Sequence, residues 1–85
     1  MAKVEIYTRG WCGYCARAKR LLAELGAEVV EYPVDRGGEK KVEMIQRAGG
    51  RTTVPQIFVE DRHIGGCDDL FALHASGKLA DLLAG

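Results

Sequence analysis

Apolar and polar residues alternate from Lys3 to Thr8 (KVEIYT), a run rich in β-branched and aromatic side chains, and this period of two predicts a strand. The period then changes. From Cys15 the apolar positions fall at Cys15, Ala18, Leu21, Leu22 and Leu25, the spacing of one buried helix face, and Gly26 supplies a stop. Glu28 to Val34 (EVVEYPV) predicts a second strand, with Pro33 near its end or on a sheet edge. DRGGEKKVEMIQRAGG reads as a Gly-flanked helix with Val42, Ile45 and Met44 inward. VPQIFVEDRHIGG predicts two short strands around a turn at Glu60-Asp61. The closing stretch, CDDLFALHASGKLADLLAG, opens with an acidic turn that favours a helix start through the macrodipole. Its apolar face runs through Leu70, Leu73, Leu79, Leu82 and Leu83, with a break at Gly77.

The predicted order is β-α-β-α-β-β-α, an α/β arrangement. Two strands joined by a helix should lie parallel with a right-handed crossover. The two joined by a tight turn should be antiparallel. One mixed four-stranded sheet flanked by helices is the simplest assembly. At 85 residues the chain is expected to form one domain over residues 1–85, with a feasible but modest core.

Charge narrows the function classes. The formal net charge is zero, which argues against a nucleic-acid binder. Arg17, Lys19 and Arg20 are interleaved with apolar positions and read as a solvated helix face. No window approaches the about 20 apolar residues of a membrane span. Met1-Ala2-Lys3 leads directly into the first strand pattern, so no signal peptide is expected. An odd count of three cysteines lacks the look of a disulfide framework. A reducing compartment, the cytoplasm, is expected, where a close Cys pair is catalytic or metal-binding more often than structural.

Such a pair stands in YTRGWCGYCARAKRLL. Cys12 and Cys15 fall where the first strand gives way to the first helix. The reactive species in thiol chemistry is the thiolate, and a free thiol titrates at about 8.5. Unpaired N–H groups at a helix start favour an anion and bring such thiols down to roughly 3.5–7.5. Arg9 acts in the same direction. Cys15 lies one turn on, faces the same side and has the weaker share of the dipole. Cys12 therefore attacks and Cys15 resolves. A core-only role fits poorly, because Cys12 is flanked by Gly10, Trp11 and Gly13. The rival is zinc, for which Cys12, Cys15, His63 and Cys67 are allowed ligand types, although no second Cys-x-x-Cys accompanies them.

Two further stretches bear on the site. In RTTVPQIF a proline stands just ahead of a strand. A cis bond at Val54-Pro55 would expose the Val54 backbone to an extended peptide; an ordinary trans proline is the alternative. In GGCDD two glycines permit close backbone approach and the helix start offers N–H donors. Asp68 could accept from an ammonium group, or serve only to stabilise the helix start.

WCGYC, TTVPQIF and GGCDDL together resemble the glutaredoxin family, over nearly the whole chain, and most closely the small bacterial members. The resemblance implies a thioredoxin fold, a cis Pro55, and glutathione as reductant in the reduction of protein disulfides and protein–glutathione mixed disulfides. It implies that Cys12 becomes glutathionylated with Cys15 as its partner, and that Tyr14 lies beside the glutathione cysteine. Thr53 and Val54 would pair with the tripeptide backbone, Cys67 and Asp68 would hold its γ-glutamyl end, and Arg9 and Lys41 would serve its glycyl carboxylate. The family's usual motif is Cys-Pro-Tyr-Cys, and here Gly13 replaces the proline. A small residue there recurs in members that assemble iron–sulfur clusters. The alternative is thus a dimer carrying a two-iron two-sulfur cluster on Cys12 of each protomer and two glutathiones; otherwise a monomer is expected.

Overall fold

The computed structural model describes residues 2–85; the part of the N-terminal reading that rests on Met1 lies outside them. The elements are β1 (Val4–Thr8), α1 (Gly13–Glu24), β2 (Val29–Pro33), α2 (Gly38–Arg47), β3 (Gln56–Val59), β4 (Arg62–Gly65), α3 (Cys67–Ala75) and α4 (Lys78–Leu83). The sheet order is β2-β1-β3-β4. β1 pairs in parallel with β2 and antiparallel with β3, and β3 pairs antiparallel with β4. This is the mixed four-stranded sheet that the pattern of periods predicts. The turn at Glu60-Asp61 is real, and both residues take positive φ.

Strand alternation divides the core in two. Val4 and Ile6 of β1 and Ile57 and Val59 of β3 face α1, α3 and α4, where Ala18, Leu21, Leu22, Leu70, Leu79 and Leu83 close over them. The opposite face presents Tyr7 and Phe58 to Met44 of α2 and to Ala48, its C-cap. β1 is buried along its whole length because both of its faces are covered. β2 is an edge strand and largely exposed, and Pro33 ends it, where its missing N–H costs least.

Two expectations need correction. Val42 points to solvent, 55% exposed, while Met44 is fully buried. The buried stripe is Met44 of α2 and its C-cap Ala48, four residues apart, with Ile45 beside it. Val42 lies two residues from Met44, some 200° around the helix. The closing helix is two helices, so one element is added to the expected order. Gly77 separates them at the expected break with φ 81°, a left-handed conformation that glycine adopts without strain.

Candidate active site

The chain leaves β1 at Thr8 and enters α1 through Arg9–Cys12. Gly10 N–H donates to Asp35 Oδ2 at 2.7 Å, which ties this loop to the one after β2. Trp11 takes positive φ and is wholly exposed. Cys12 is the N-cap of α1: its backbone is extended, and its Sγ accepts from the Cys15 N–H at 3.2 Å. The Cys12 sulfur thus occupies the place where a serine or aspartate oxygen ordinarily caps a helix. The helix begins at Gly13, two residues before the first periodic position at Cys15.

The two thiols are strongly unlike. Burial works against ionisation of Cys12, but hydrogen bonds from the Cys15 thiol and backbone, from Arg9 and from the Tyr14 N–H outweigh it and hold its pKa below the ordinary thiol value. Burial, with the hydrogen bond to Cys12 and its charge, pushes Cys15 up to about 12. Cys12 is half-buried and Cys15 buried. The half-buried Cys12 thiol therefore ionises far more readily than its buried partner.

Around this pair the structure gathers the remaining predicted residues. Arg9, Cys12 and Cys15 line a cavity of about 650 Å³. Arg9, Lys41, Thr53 and Val54 line a second, of about 350 Å³. Tyr14, Thr53, Val54, Pro55, Cys67 and Asp68 line a third, of about 340 Å³. The last two share Thr53 and Val54, and together they form a groove region with Arg9 and Lys41 on one side of these residues and Asp68 among the lining of the other. The Val54-Pro55 bond is cis.

The GGCDD stretch resolves into separate tasks. Asp69 caps α3: its Oδ2 accepts from the Gly66 N–H at 2.9 Å. Gly66 has no side chain to return the bond. A Cβ on Gly65 would collide with the Asp69 carboxylate, and its φ is 116°, so glycine is required there. Among the described residues no hydrogen bond claims Asp68, which stays exposed on the groove. Burial pushes the Cys67 thiol above its ordinary value.

Sequence reasoning missed Arg51 and Asp69 as members of this groove. Their side chains approach at 3.5 Å across it, joining the loop before Pro55 to the start of α3. Only the adjacency of Arg51 to TTVP pointed that way. Among the described residues no three His, Cys, Asp or Glu side chains converge as a group that could hold a metal ion. His63 is engaged instead by Gln56 on the α2 face of the sheet.

A sheet of this order, with a Cys-x-x-Cys capping its first helix and a cis proline leading β3, is a thioredoxin fold with a dithiol centre, and it defines a thiol–disulfide oxidoreductase. The glutaredoxin family model matches residues 4–64. The chain is 58% identical over 83 residues to glutaredoxin 3 of Escherichia coli strain K12, covering 98% of this chain and 99% of that protein. Its structure superposes on the solution structure of a Brucella melitensis glutaredoxin with a TM-score of 0.83, at 54% identity and over 98% of this chain and 89% of that one. A buckwheat glutaredoxin–glutathione complex matches at TM-score 0.86, with 32% identity over 98% of this chain and 77% of that one. The chain belongs to the glutaredoxin family, and its activity is glutathione-dependent thiol–disulfide exchange.

Proposed function

We propose that the chain reduces protein–glutathione mixed disulfides by a one-thiol route through Cys12, and protein disulfides by a two-thiol route through Cys12 and Cys15. The observation that carries this reading is the capping of α1 by Cys12 Sγ, where the Cys15 N–H donates to the sulfur and favours its ionised form beside the cavity that Arg9 also lines. That thiolate attacks the glutathionyl sulfur of the mixed disulfide. The protein thiolate leaves and takes a proton, and Cys12 carries glutathione in disulfide linkage. A glutathione thiolate then attacks the glutathione sulfur bound to Cys12, giving glutathione disulfide and the free Cys12 thiolate. In the second route Cys15 attacks Cys12 while the latter is joined to a protein, releasing that protein's thiol and leaving a Cys12–Cys15 disulfide for two glutathiones to reduce.

The groove chemistry suits the tripeptide. Arg9 and Lys41 serve the glycyl carboxylate, Thr53 and Val54 the backbone, Tyr14 the cysteinyl portion, and Asp68 with the α3 start beside Cys67 the γ-glutamyl end. No described helix is long and apolar enough to cross a membrane. A reducing, cytoplasmic setting, in which the Cys12–Cys15 pair is returned to its dithiol form by glutathione, and a monomeric enzyme belong to this reading.

The second reading is a cluster-bridged dimer. It asks this chain for one accessible thiolate and an uncrowded loop. Cys12 is half-buried, Trp11 projects freely, and nothing lies within 4 Å of where a Cβ on Gly13 would stand. Cys12 would hold the iron, with glutathione completing the thiolate set.

Turnover of a glutathionylated peptide tests the enzyme reading. Cys12→Ser should abolish it, whereas Cys15→Ser should keep a substantial part, because a second glutathione can replace Cys15. Equal loss in the two variants defeats the one-thiol route.

A further inference from the structure

We infer that Gln56 and His63 are positioning residues for the groove: a hydrogen-bonded chain from His63 through Gln56 to Thr53 turns the Val54 amide toward the bound peptide backbone. The inference rests on the glutathione reading of that groove.

Gln56 is fully buried, a polar residue on the sheet face that also carries Tyr7 and Phe58. Its Nε2 lies 3.0 Å from the Thr53 carbonyl oxygen and 3.2 Å from Thr53 Oγ1. Its Oε1 lies 2.7 Å from His63 Nε2. A carbonyl oxygen can only accept, so the group facing Thr53 must be the amide NH2. The amide oxygen then faces His63, and His63 Nε2 must carry the proton. Both Gln56 donors and its acceptor are thereby used.

His63 is itself held. A bulge in β4 pairs Ile57 with Gly65 but Phe58 with His63, leaving Ile64 as the extra residue. The His63 ring stacks on Phe58 with centroids 4.9 Å apart and planes 25° apart. Burial first, then the charges of Arg51 and Arg47, depress its pKa against the opposing pull of Asp69. The contact with Gln56 Oε1 requires a proton on Nε2.

The consequence for the groove is geometric. The peptide unit joining Thr53 to Val54 is trans, because the cis bond is the next one. In a planar trans unit the C=O and N–H point in opposite directions. With the Thr53 carbonyl pinned inward by Gln56, the Val54 N–H points outward, where an extended peptide can accept from it. Cut that pin and the unit is free to rotate, so binding carries the entropy of ordering it.

Gln56→Met keeps the length and apolar bulk of the side chain but loses both donors and the acceptor. His63→Phe keeps the stack on Phe58 and loses the donor. With a glutathionylated peptide as substrate, Gln56→Met should raise KM about tenfold, equivalent to about 1.4 kcal/mol, with kcat within about twofold. His63→Phe should raise it by about threefold. The thiolate titration of Cys12 followed in the ultraviolet should not move, because its stabilising contacts lie on α1 and Arg9. In the unaltered protein, nitrogen NMR should show His63 as the Nε2–H tautomer, a readout that does not depend on the variants folding. An unchanged KM with a lowered Tm would reduce the chain to a structural role, and an Nδ1–H tautomer would overturn it. A parent protein that fails to turn over the glutathionylated peptide, while His63 shows the expected tautomer, would instead count against the glutathione reading.

Discussion

Replacing Arg47 by methionine should cost the protein more than any surface substitution, and the structure gives the size. Arg47 ends α2 and reaches across the sheet to Glu5 on β1. Its guanidinium makes a two-pronged contact with the carboxylate, at 3.1 Å and 3.3 Å, and donates to Tyr7 Oη at 2.8 Å. It also lies 4.0 Å over the Phe58 ring. The Glu5 side chain is 8% exposed and that of Arg47 23%. Removing one partner of a buried pair costs about 3–5 kcal/mol. Here Tyr32 still donates to Glu5 at 2.9 Å and Arg47 is partly wet, so about 2–3 kcal/mol is expected. For a chain of this size that lowers Tm by roughly 10–20 °C. The pH dependence identifies the cause. Burial pushes the Glu5 carboxyl up, but the hydrogen bonds of Arg47 and Tyr32 and the charges of Arg47 and Lys3 win and hold it below its usual range. Its stabilising contribution is present above the unfolded value of about 4.3 and is lost as pH falls through the lower folded value. Without Arg47 burial dominates, the carboxyl rises, and the native variant takes up its proton before the unfolded chain does. The stability gap between variant and parent should therefore narrow as the pH falls from neutrality to about 4. Urea unfolding at a series of pH values measures it. A gap that stays constant with pH, or one under about 1 kcal/mol at neutrality, would refute the assignment of the loss to an unpaired Glu5.

Asp68→Ala should raise the KM for glutathione about tenfold, the weaker end of a charge-assisted contact because the residue is exposed, and leave Tm nearly unchanged because Asp69 caps α3. Unchanged KM with a lowered Tm would return Asp68 to a helix-start role. Gly13 is the first residue of α1, where proline is well tolerated, and the space beside it is open, so Gly13→Pro should keep reductase activity. On anaerobic reconstitution with iron, sulfide and glutathione, the parent should give a dimer absorbing in the visible and Gly13→Pro should not. A colourless parent monomer on size-exclusion chromatography would remove the cluster reading.

The sheet was legible because each strand and helix announces itself by a change of period within a few residues, and the dithiol centre because Cys12 and Cys15 fall at one such change. What escaped depends on partners far apart in the chain. Glu5 occupies a polar position in an alternating strand, which reads as a solvated face; it is buried because α2, ending 42 residues later at Arg47, covers it. Gln56 escaped for the same reason: a polar residue in QIFV looks outward until His63 and Thr53 are brought to its two ends. Val42 shows the converse. It is apolar and three residues from Ile45, yet the phase of α2 is set by Met44 and Ala48 against Tyr7 and Phe58, and no local spacing reveals that phase. Asp68 and Asp69 are the sharpest case. The sequence offers two adjacent acids at a helix start and two tasks, capping the helix and receiving a ligand. Neighbours on a helix point about 100° apart, so only one can turn back to the Gly66 N–H. The structure gives that task to Asp69, and Asp68 is left on the groove by exclusion.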